Sequence, residues 1–240
     1  MGKKNKKGGD GGGLPGWFAT FSDMMTLLFA FFVLLFSLST IDPVKVAAFS
    51  EGKKGGDAKP DPTMKEKLDL AEIKEEFKKM VKDLNMDSSA TVSQDPRGIA
   101  LEIDGDICFE SSQVEIKPKL RQVLDKAIEG ILTAENDIRP IVVEGHTDSY
   151  PMVGKMAKIY PTNWELSSGR AAEVVKYLIA KGVNSTRLSP TGYADRWPFG
   201  VTWKQKRSGE INQELIDAMN ATKELRRKNR RIKIIIGPNY

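Results

Sequence analysis

Two groups of residues in this chain have the types and spacing for chemistry. The first is a single carboxylate, Asp23, inside WFATFSDMMTLLFAFFVLLFSLSTI, residues 17–41, a run otherwise built from apolar residues and small hydroxyls. At about 1.5 Å per residue a helix of that length crosses the roughly 30 Å hydrocarbon layer of a bilayer. An ionised carboxylate in the middle of such a helix costs on the order of 3 kcal/mol, so an acid kept there points to ion handling. At about 100° per residue, Gly16, Ala19, Thr20, Asp23, Thr26, Ala30 and Ser37 share one stripe, interrupted by Leu27 and Leu34. Phe18, Phe21, Phe29, Phe32 and Phe36 gather on the other side. The stripe of small and polar residues suits close approach of another helix, with the phenylalanines toward lipid. The hydroxyls of Thr20, Ser22 and Thr26 offer oxygen ligands beside Asp23, as a hard cation such as Na⁺ prefers. The competing reading is an Asp near a helix end, reaching the headgroups without a transport role.

The second group is His146-Thr147-Asp148, which follows an apolar run, together with Arg170 in NWELSSGRA, residues 163–171. A carboxylate after a strand and an arginine on the next helix make a two-ended polar clamp. Asp148 takes an ammonium and Arg170 takes a carboxylate in a two-pronged hydrogen bond, which suits a zwitterionic, amino-acid-like ligand. An internal Asp–Arg ion pair ordering the strand–helix junction accounts for the same residues. A hydrolase fits poorly. The single histidine would have to serve as base, and Ser167 lies in a helical pattern without a G-x-S-x-G elbow. One histidine and one cysteine give no metal-ligand spacing. There is no phosphate loop or dinucleotide fingerprint, so the sequence predicts no enzyme and no cofactor beyond a transported Na⁺ or H⁺.

The elements that position these residues follow from pattern and punctuation. Residues 1–16 are a Gly- and Lys-rich tail. The span at 17–41 is longer than the 7–15 residue core of a signal peptide and carries an acid, so it is expected to be retained. A short tail on one side and a folded domain on the other place the N-terminus inside the cell. Asp42-Pro43 restarts a helix over Val44, Val46, Ala47 and Phe49, and residues 51–62 form a linker by composition. Leu70, Ile73, Phe77, Met80 and Leu84 recur at helical spacing within a helix expected over residues 63–87. Residues 88–240 read as one α/β domain. Ile99, Leu101 and Ile103 alternate as a half-buried strand, and Leu120 to Leu132 is helical. Ile138 to Val143 is a central strand, Trp164 to Lys181 a helix ended by Gly182, Leu188 and Tyr193 a further strand. Ile232 to Ile236 closes the sheet. Residues 195–228 form a long connection with one helix from about Ile211 to Lys223. The fold class is therefore a single N-terminal transmembrane helix plus an α/β (α+β sandwich) domain. The 240 residues carry 37 Lys and Arg against 32 Asp and Glu, a formal charge of +5. Without a basic stripe interleaved with aromatics, that balance does not suggest nucleic acid.

The segment EGHTDSYP…YPTNWELSSGRAAEVV…NRRIKI resembles the OmpA-type peptidoglycan-binding domain, through Thr147-Asp148, the N-x-x-L-S-x-x-R-A motif at 163–171, and Asn229-Arg230-Arg231. With TFSDMMTLLFAFFVLLFS the chain is similar to the B subunit of the flagellar stator, the MotB/PomB/MotS group. The resemblance implies that Asp148 and Arg170 hold the diaminopimelate of the peptide stem, supported by Thr147, Asn163, Leu166 and Arg231. It implies that Asp23 is the ion-binding aspartate. It also implies that the segment from Asp42 to about Glu51, with Pro43, Val44, Val46, Ala47 and Phe49, is a plug. The implied partners are a four-span A subunit ringing a B-subunit homodimer, peptidoglycan, and indirectly the rotor, at the inner membrane with the C-terminal domain outside. The run TFSD followed by LLF…FFVLLFS looks more like the sodium-type members. A passive membrane-to-wall anchor, or a stator-like complex outside the flagellum, would use the same parts. The connection before Asn229 is long for the domain family.

Overall fold

The computed structural model describes residues 16–38, 68–132 and 137–238. They fall in two units, divided after Ile41. The expected tail, apart from Gly16, and the expected plug and flexible linker lie outside the described residues.

The N-terminal unit is one helix, α1 (Gly16–Leu38), of 23 residues, about 34 Å long at 1.5 Å per residue. Its apolar side chains, from Trp17 to Leu35, are exposed within the chain, as a lipid-facing or partner-facing helix requires. The hydroxyls of Thr20 and Thr26 donate to the carbonyls of Trp17 and Ser22, each at 2.8 Å.

The second unit begins with α2 (Leu70–Asp83). Asp69 caps it: its carboxylate accepts from the Glu72 amide at 2.7 Å while Glu72 accepts from the Asp69 amide, satisfying two otherwise orphaned donors. Leu70, Ile73, Phe77, Met80 and Val81 turn inward, so the periodicity holds, while residues 63–67 lie outside the described set. Next come β1 (Ala90–Asp95), β2 (Gly98–Asp104), a single helical turn α3 (Gly105–Cys108) and α4 (Pro118–Ala127). The helix expected to Leu132 ends at Ala127 and continues as a wider π-type turn over Ile128–Leu132. Then follow β3 (Ile141–His146), α5 (Asn163–Ala180), β4 (Leu188–Gly192), three short helices α6 (Trp203–Ser208), α7 (Gln213–Ala218) and α8 (Lys223–Asn229), and β5 (Arg231–Ile236).

The sheet order is β1-β2-β5-β3-β4. β3 and β4 are parallel, joined across α5, and the other pairs are antiparallel. Two expectations change here. The Ile232–Ile236 run does not close the sheet at an edge but occupies its centre, paired to β2 and β3 on its two sides. The 195–228 connection holds three capped helices rather than one, because Thr202, Asn212 and Thr222 each accept a backbone hydrogen bond and restart the helix.

Alternation sorts the sheet into two unlike faces. Ile99, Leu101, Ile103, Ile141, Val143, Ile232, Ile234 and Ile236 face α2, α4 and α5 and form the core with them. The opposite face carries Glu102, Glu144, His146, Arg231 and Lys233. In register, Glu102 and Glu144 flank Lys233, and Asp104 and His146 flank Arg231. These charges are paired: Lys233 reaches Asp95 at 2.7 Å and Arg97 reaches Glu144 at 2.6 Å. Trp197 and Trp203 pack edge to face over this side, 4.7 Å between centroids, with Arg97 4.7 Å from the Trp203 centroid and Lys206 3.9 Å from that of Trp197.

Candidate functional site

The clamp residues come together. Helix α5 starts where the Thr162 side chain accepts from the Trp164 amide, with Glu165 closing a capping box. The cap is thus Thr162, the residue immediately before the N-x-x-L-S-x-x-R-A motif. Asn163, Leu166 and Arg170, spaced three and four apart, then share one helical face and line a cleft of about 520 Å³. Helix α5 can lie close to the sheet because Gly145 and Gly192 are side by side on β3 and β4. A Cβ on Gly145 would sit 2.1 Å from the Ser167 carbonyl oxygen.

Asp148 leaves the end of β3 into the same cleft. It is not paired to Arg170. Its Oδ1 accepts the Tyr150 amide at 3.2 Å and its Oδ2 accepts from Arg230 Nη1 at 2.7 Å. Asn163 fixes the turn by donating to the carbonyls of Asp148 and Tyr150 at 3.0 and 2.8 Å. Arg170 is 5% exposed. Its Nε and Nη2 donate to the carbonyls of Gln113 and Glu110 at 2.9 and 3.2 Å, and its guanidinium lies 5.0 Å over the Phe109 ring. Burial lowers its pKa to about 10, so it stays charged at neutral pH without a carboxylate partner among the described residues. A buried guanidinium held by neutral carbonyls is well placed to receive an anion. Thr147 lines the cleft and is buried; its amide donates to the Ala194 carbonyl at 2.9 Å.

Arg231 is the residue that the structure moves elsewhere. It lies on the polar sheet face, with Nε 3.3 Å from Glu102 and Nη2 donating to the Trp197 carbonyl at 3.2 Å. Arg230 takes the place in the cleft instead. The signal was available: if Ile232, Ile234 and Ile236 face the core, Arg231 must face the other way.

His146 adjoins this site in sequence but not in space. It is 1% exposed, stacked on Tyr193 at 5.3 Å and 3.6 Å from Glu144. Burial, with Arg231 beside it, lowers its pKa to about 3. Ser167 donates to the Trp164 carbonyl and accepts the Ala194 amide, so the hydroxyl ties helix to loop. No group of three or more potential metal ligands occurs among the described residues.

The connection before β5, whose role the sequence left unassigned, backs the loop after β3, whose Tyr150 lines the cleft. Asn220 accepts the Ser149 amide at 3.2 Å, and Arg226 lies 4.5 Å over Tyr150. Asn229 donates to Met219 and Asn220 and accepts the Phe199 amide.

Comparisons with known proteins divide the chain the same way. Residues 2–52 match a family model described as membrane MotB of the proton-channel complex MotA/MotB, and residues 108–213 match the OmpA family. The chain is 30% identical to an uncharacterized protein of Bacillus subtilis, YtxE, over 98% of its own length and 93% of that protein. It is 27% identical to motility protein B of the same organism, over 98% and 95%. Its fold matches a MotB-like protein from Desulfovibrio vulgaris with a TM-score of 0.54 at 20% identity, covering 71% of this chain and 94% of that one. It also matches the cell wall anchor of the type VI secretion system of Pseudomonas aeruginosa, with a TM-score of 0.50 at 23% identity, over 68% and 97%. The chain belongs to the MotB family of stator and wall-anchor components, which are not enzymes, and its C-terminal region is an OmpA-like domain.

Proposed function

We propose that the protein is the B-type subunit of an ion-driven stator, fixed to peptidoglycan by its OmpA-like domain. The observation that carries the anchoring is the cleft in which buried Arg170 and Asp148 face one ligand space. Arg170 would take a carboxylate and Asp148 an ammonium of the diaminopimelate stem, with Thr147, Asn163 and Leu166 shaping the space between them. The tail would be cytoplasmic, α1 would cross the inner membrane, and the domain would bind wall outside it. Two such chains would thread a ring of four-span A subunits of the MotA type.

In this reading Asp23 alternates between ion-bound and free states. Binding neutralises it and lowers the cost of crossing the low-dielectric interface; release restores a charge that recruits the next contact on the ring. Na⁺ is the proposed ion, supported by the hydroxyls around Asp23. Thr20 and Thr26 spend their protons on backbone carbonyls, which leaves oxygen lone pairs for a cation. The matching family model is described by a proton channel, and H⁺ is therefore the competing ion. The segment from Asp42 to about Glu51 would act as the plug.

Two measurements test this. Retention of the detergent-solubilised full chain on purified sacculi should fall about tenfold or more in Arg170→Ala, because a charge-assisted hydrogen bond contributes about 1.5–3 kcal/mol; unchanged retention removes the anchoring. Ion flux through the chain co-expressed with its A subunit should rise on deletion of residues 44–51 and vanish in Asp23→Asn. Flux that persists in Asp23→Asn refutes conduction through that carboxylate and leaves a passive wall anchor. Flux that is independent of Na⁺ at a fixed proton gradient selects H⁺.

A further inference from the structure

The loop that joins β3 to α5 is built unlike the rest of the domain's surface. Of the large hydrophobic side chains that the domain leaves exposed, Tyr150, Val153, Ile159 and Trp164 lie between 150 and 164, at 48–69% exposure; among the described residues only Ile138 and Ile179 stand elsewhere in the domain. Residues 149–164 contain no aspartate or glutamate, while Lys155 and Lys158 are both exposed. Glu165, the first acid beyond the run, is turned back onto Thr162 by the capping box. No residue of the 3-10 turn Lys155–Lys158 is buried. The loop is nevertheless held in place. Asn163 donates to the Tyr150 carbonyl at 2.8 Å, which closes the loop at its base and brings Tyr150 beside the start of α5. The Tyr160 ring lies against Gly169, where a Cβ would sit 3.0 Å from it. Arg226, over the Tyr150 ring, adds a third cation.

Exposed apolar residues gathered in one segment mark an interaction surface, and the chemistry of this one selects its partner. Aliphatic side chains, amphipathic Trp and Tyr rings and lysines without acids suit a membrane–water interface, where the rings sit at headgroup level and the lysines meet anionic phosphates. A sugar-binding surface would need polar groups placed for hydroxyls; Val153 and Ile159 offer none, and the Asn163 amide is engaged by the loop's own carbonyls. A bilayer is also within reach. Residues 39–67 separate α1 from the domain, about 100 Å at full extension, and a tether of that length holds the domain near whatever α1 is inserted in. We infer that the 150–164 loop is a membrane-docking surface that parks the domain on an anionic bilayer, which rests on the reading above that α1 spans that bilayer with the domain outside. Tyr150 and Val153 also line the cleft. Lipid and peptidoglycan therefore compete for one rim, and a parked domain does not hold wall.

The test is lipid quenching in the full chain reconstituted into vesicles. An environment-sensitive dye is attached through Ile159→Cys; Cys108 is buried, so the dye reports one site. The vesicles carry a doxyl-labelled lipid in either phosphatidylglycerol or phosphatidylcholine. Phosphatidylglycerol should shift the dye to the blue and quench it, and phosphatidylcholine should do so far less. The ratio of docked to free domain should fall about fivefold in Lys155→Gln and about twentyfold with Lys158→Gln added. Both lysines are on a turn without buried residues, so these variants fold, and all carry the same dye, so its own affinity for lipid cancels. Soluble muropeptide should reverse the quenching. Quenching that is absent, equal in the two lipids, or unmoved by the lysine changes overturns the inference alone, as does a dye that answers to muropeptide but never to lipid, which makes the rim a wall contact. Quenching that muropeptide leaves unchanged overturns the competition. A chain that fails to float with vesicles of either lipid overturns the spanning reading and the inference with it.

Discussion

Stability of the OmpA-like domain should fall steeply with acid through a window set by one residue. His146 is the only histidine in the chain, is 1% exposed, and titrates near pH 3 when folded because burial and the neighbouring Arg231 disfavour its cation. In the unfolded chain it titrates at about 6.5. The folded value lies below the unfolded one, so the unfolded chain takes up the proton first and stability rises with pH. The contribution is whole above about pH 7, falls as pH drops through 6.5, and is exhausted near pH 3. At about 1.4 kcal/mol per unit, lowering the pH from 6.5 to 5 removes about 2 kcal/mol. Glu144, which burial would raise but His146 and Arg97 hold down to about 2, adds its own loss only below its unfolded value of about 4.3. The interval from pH 6.5 to 5 therefore belongs to His146. Urea unfolding of residues 68–240, followed by tryptophan fluorescence at several pH values, should show this slope. His146→Phe, which keeps a ring against Tyr193, should flatten it. A wild-type midpoint that is level from pH 7 to 5, or an equal slope in the variant, refutes the assignment of a buried neutral imidazole.

Three more outcomes follow from packing. Gly145→Ala should destabilise the domain by about 1–3 kcal/mol in urea unfolding and weaken retention on sacculi, because the added methyl drives the Ser167 backbone, and with it Arg170, away from β3. Asp137→Ala should cost about 3–5 kcal/mol by the same assay, since it leaves the buried Arg139 and Arg187, paired to Asp137 at 2.8 and 2.9 Å, without their shared carboxylate. Cys108, the only cysteine, is fully buried and burial raises its thiol pKa; a thiol reagent at pH 8 should leave the native chain unlabelled and add one equivalent in denaturant.

What could be read in advance depended on whether a residue's role is local. The apolar helix, the face of α5 and the turn after β3 are written in short-range spacing, and they were visible. Strand order was not, because nothing in the Ile232–Ile236 run says which strands it pairs with. That pairing places it between β2 and β3. Strand β1 went unseen since Thr91, Val92, Ser93 and Gln94 make an edge strand with little apolar content. The three helices before β5 had readable starts, including the T-x-x-Q box at Thr202 and Gln205, but their abundance of Lys, Gln and Glu hid them. The pairing of Asp148 with Arg230 joins residues 82 apart in sequence, beyond the reach of any spacing argument.

The same long connection explains why three adjacent residues, Asn229, Arg230 and Arg231, do three different things. Asn229 ends α8 as a buried tie, bonded to Met219, Asn220 and Phe199, and so fixes the whole connection to the start of β5. Arg231 is the first residue of that strand and points to the charged sheet face, where Glu102 and the Trp197 carbonyl receive it. Arg230, between them, has only the cleft left to enter. Covering the polar face with Trp197 and Trp203 and arming the cleft with Arg230 are thus consequences of one segment anchored at one asparagine. Loosening Asn229 should disturb both sides of the sheet together, whereas a change at Arg231 should be felt on the polar face first.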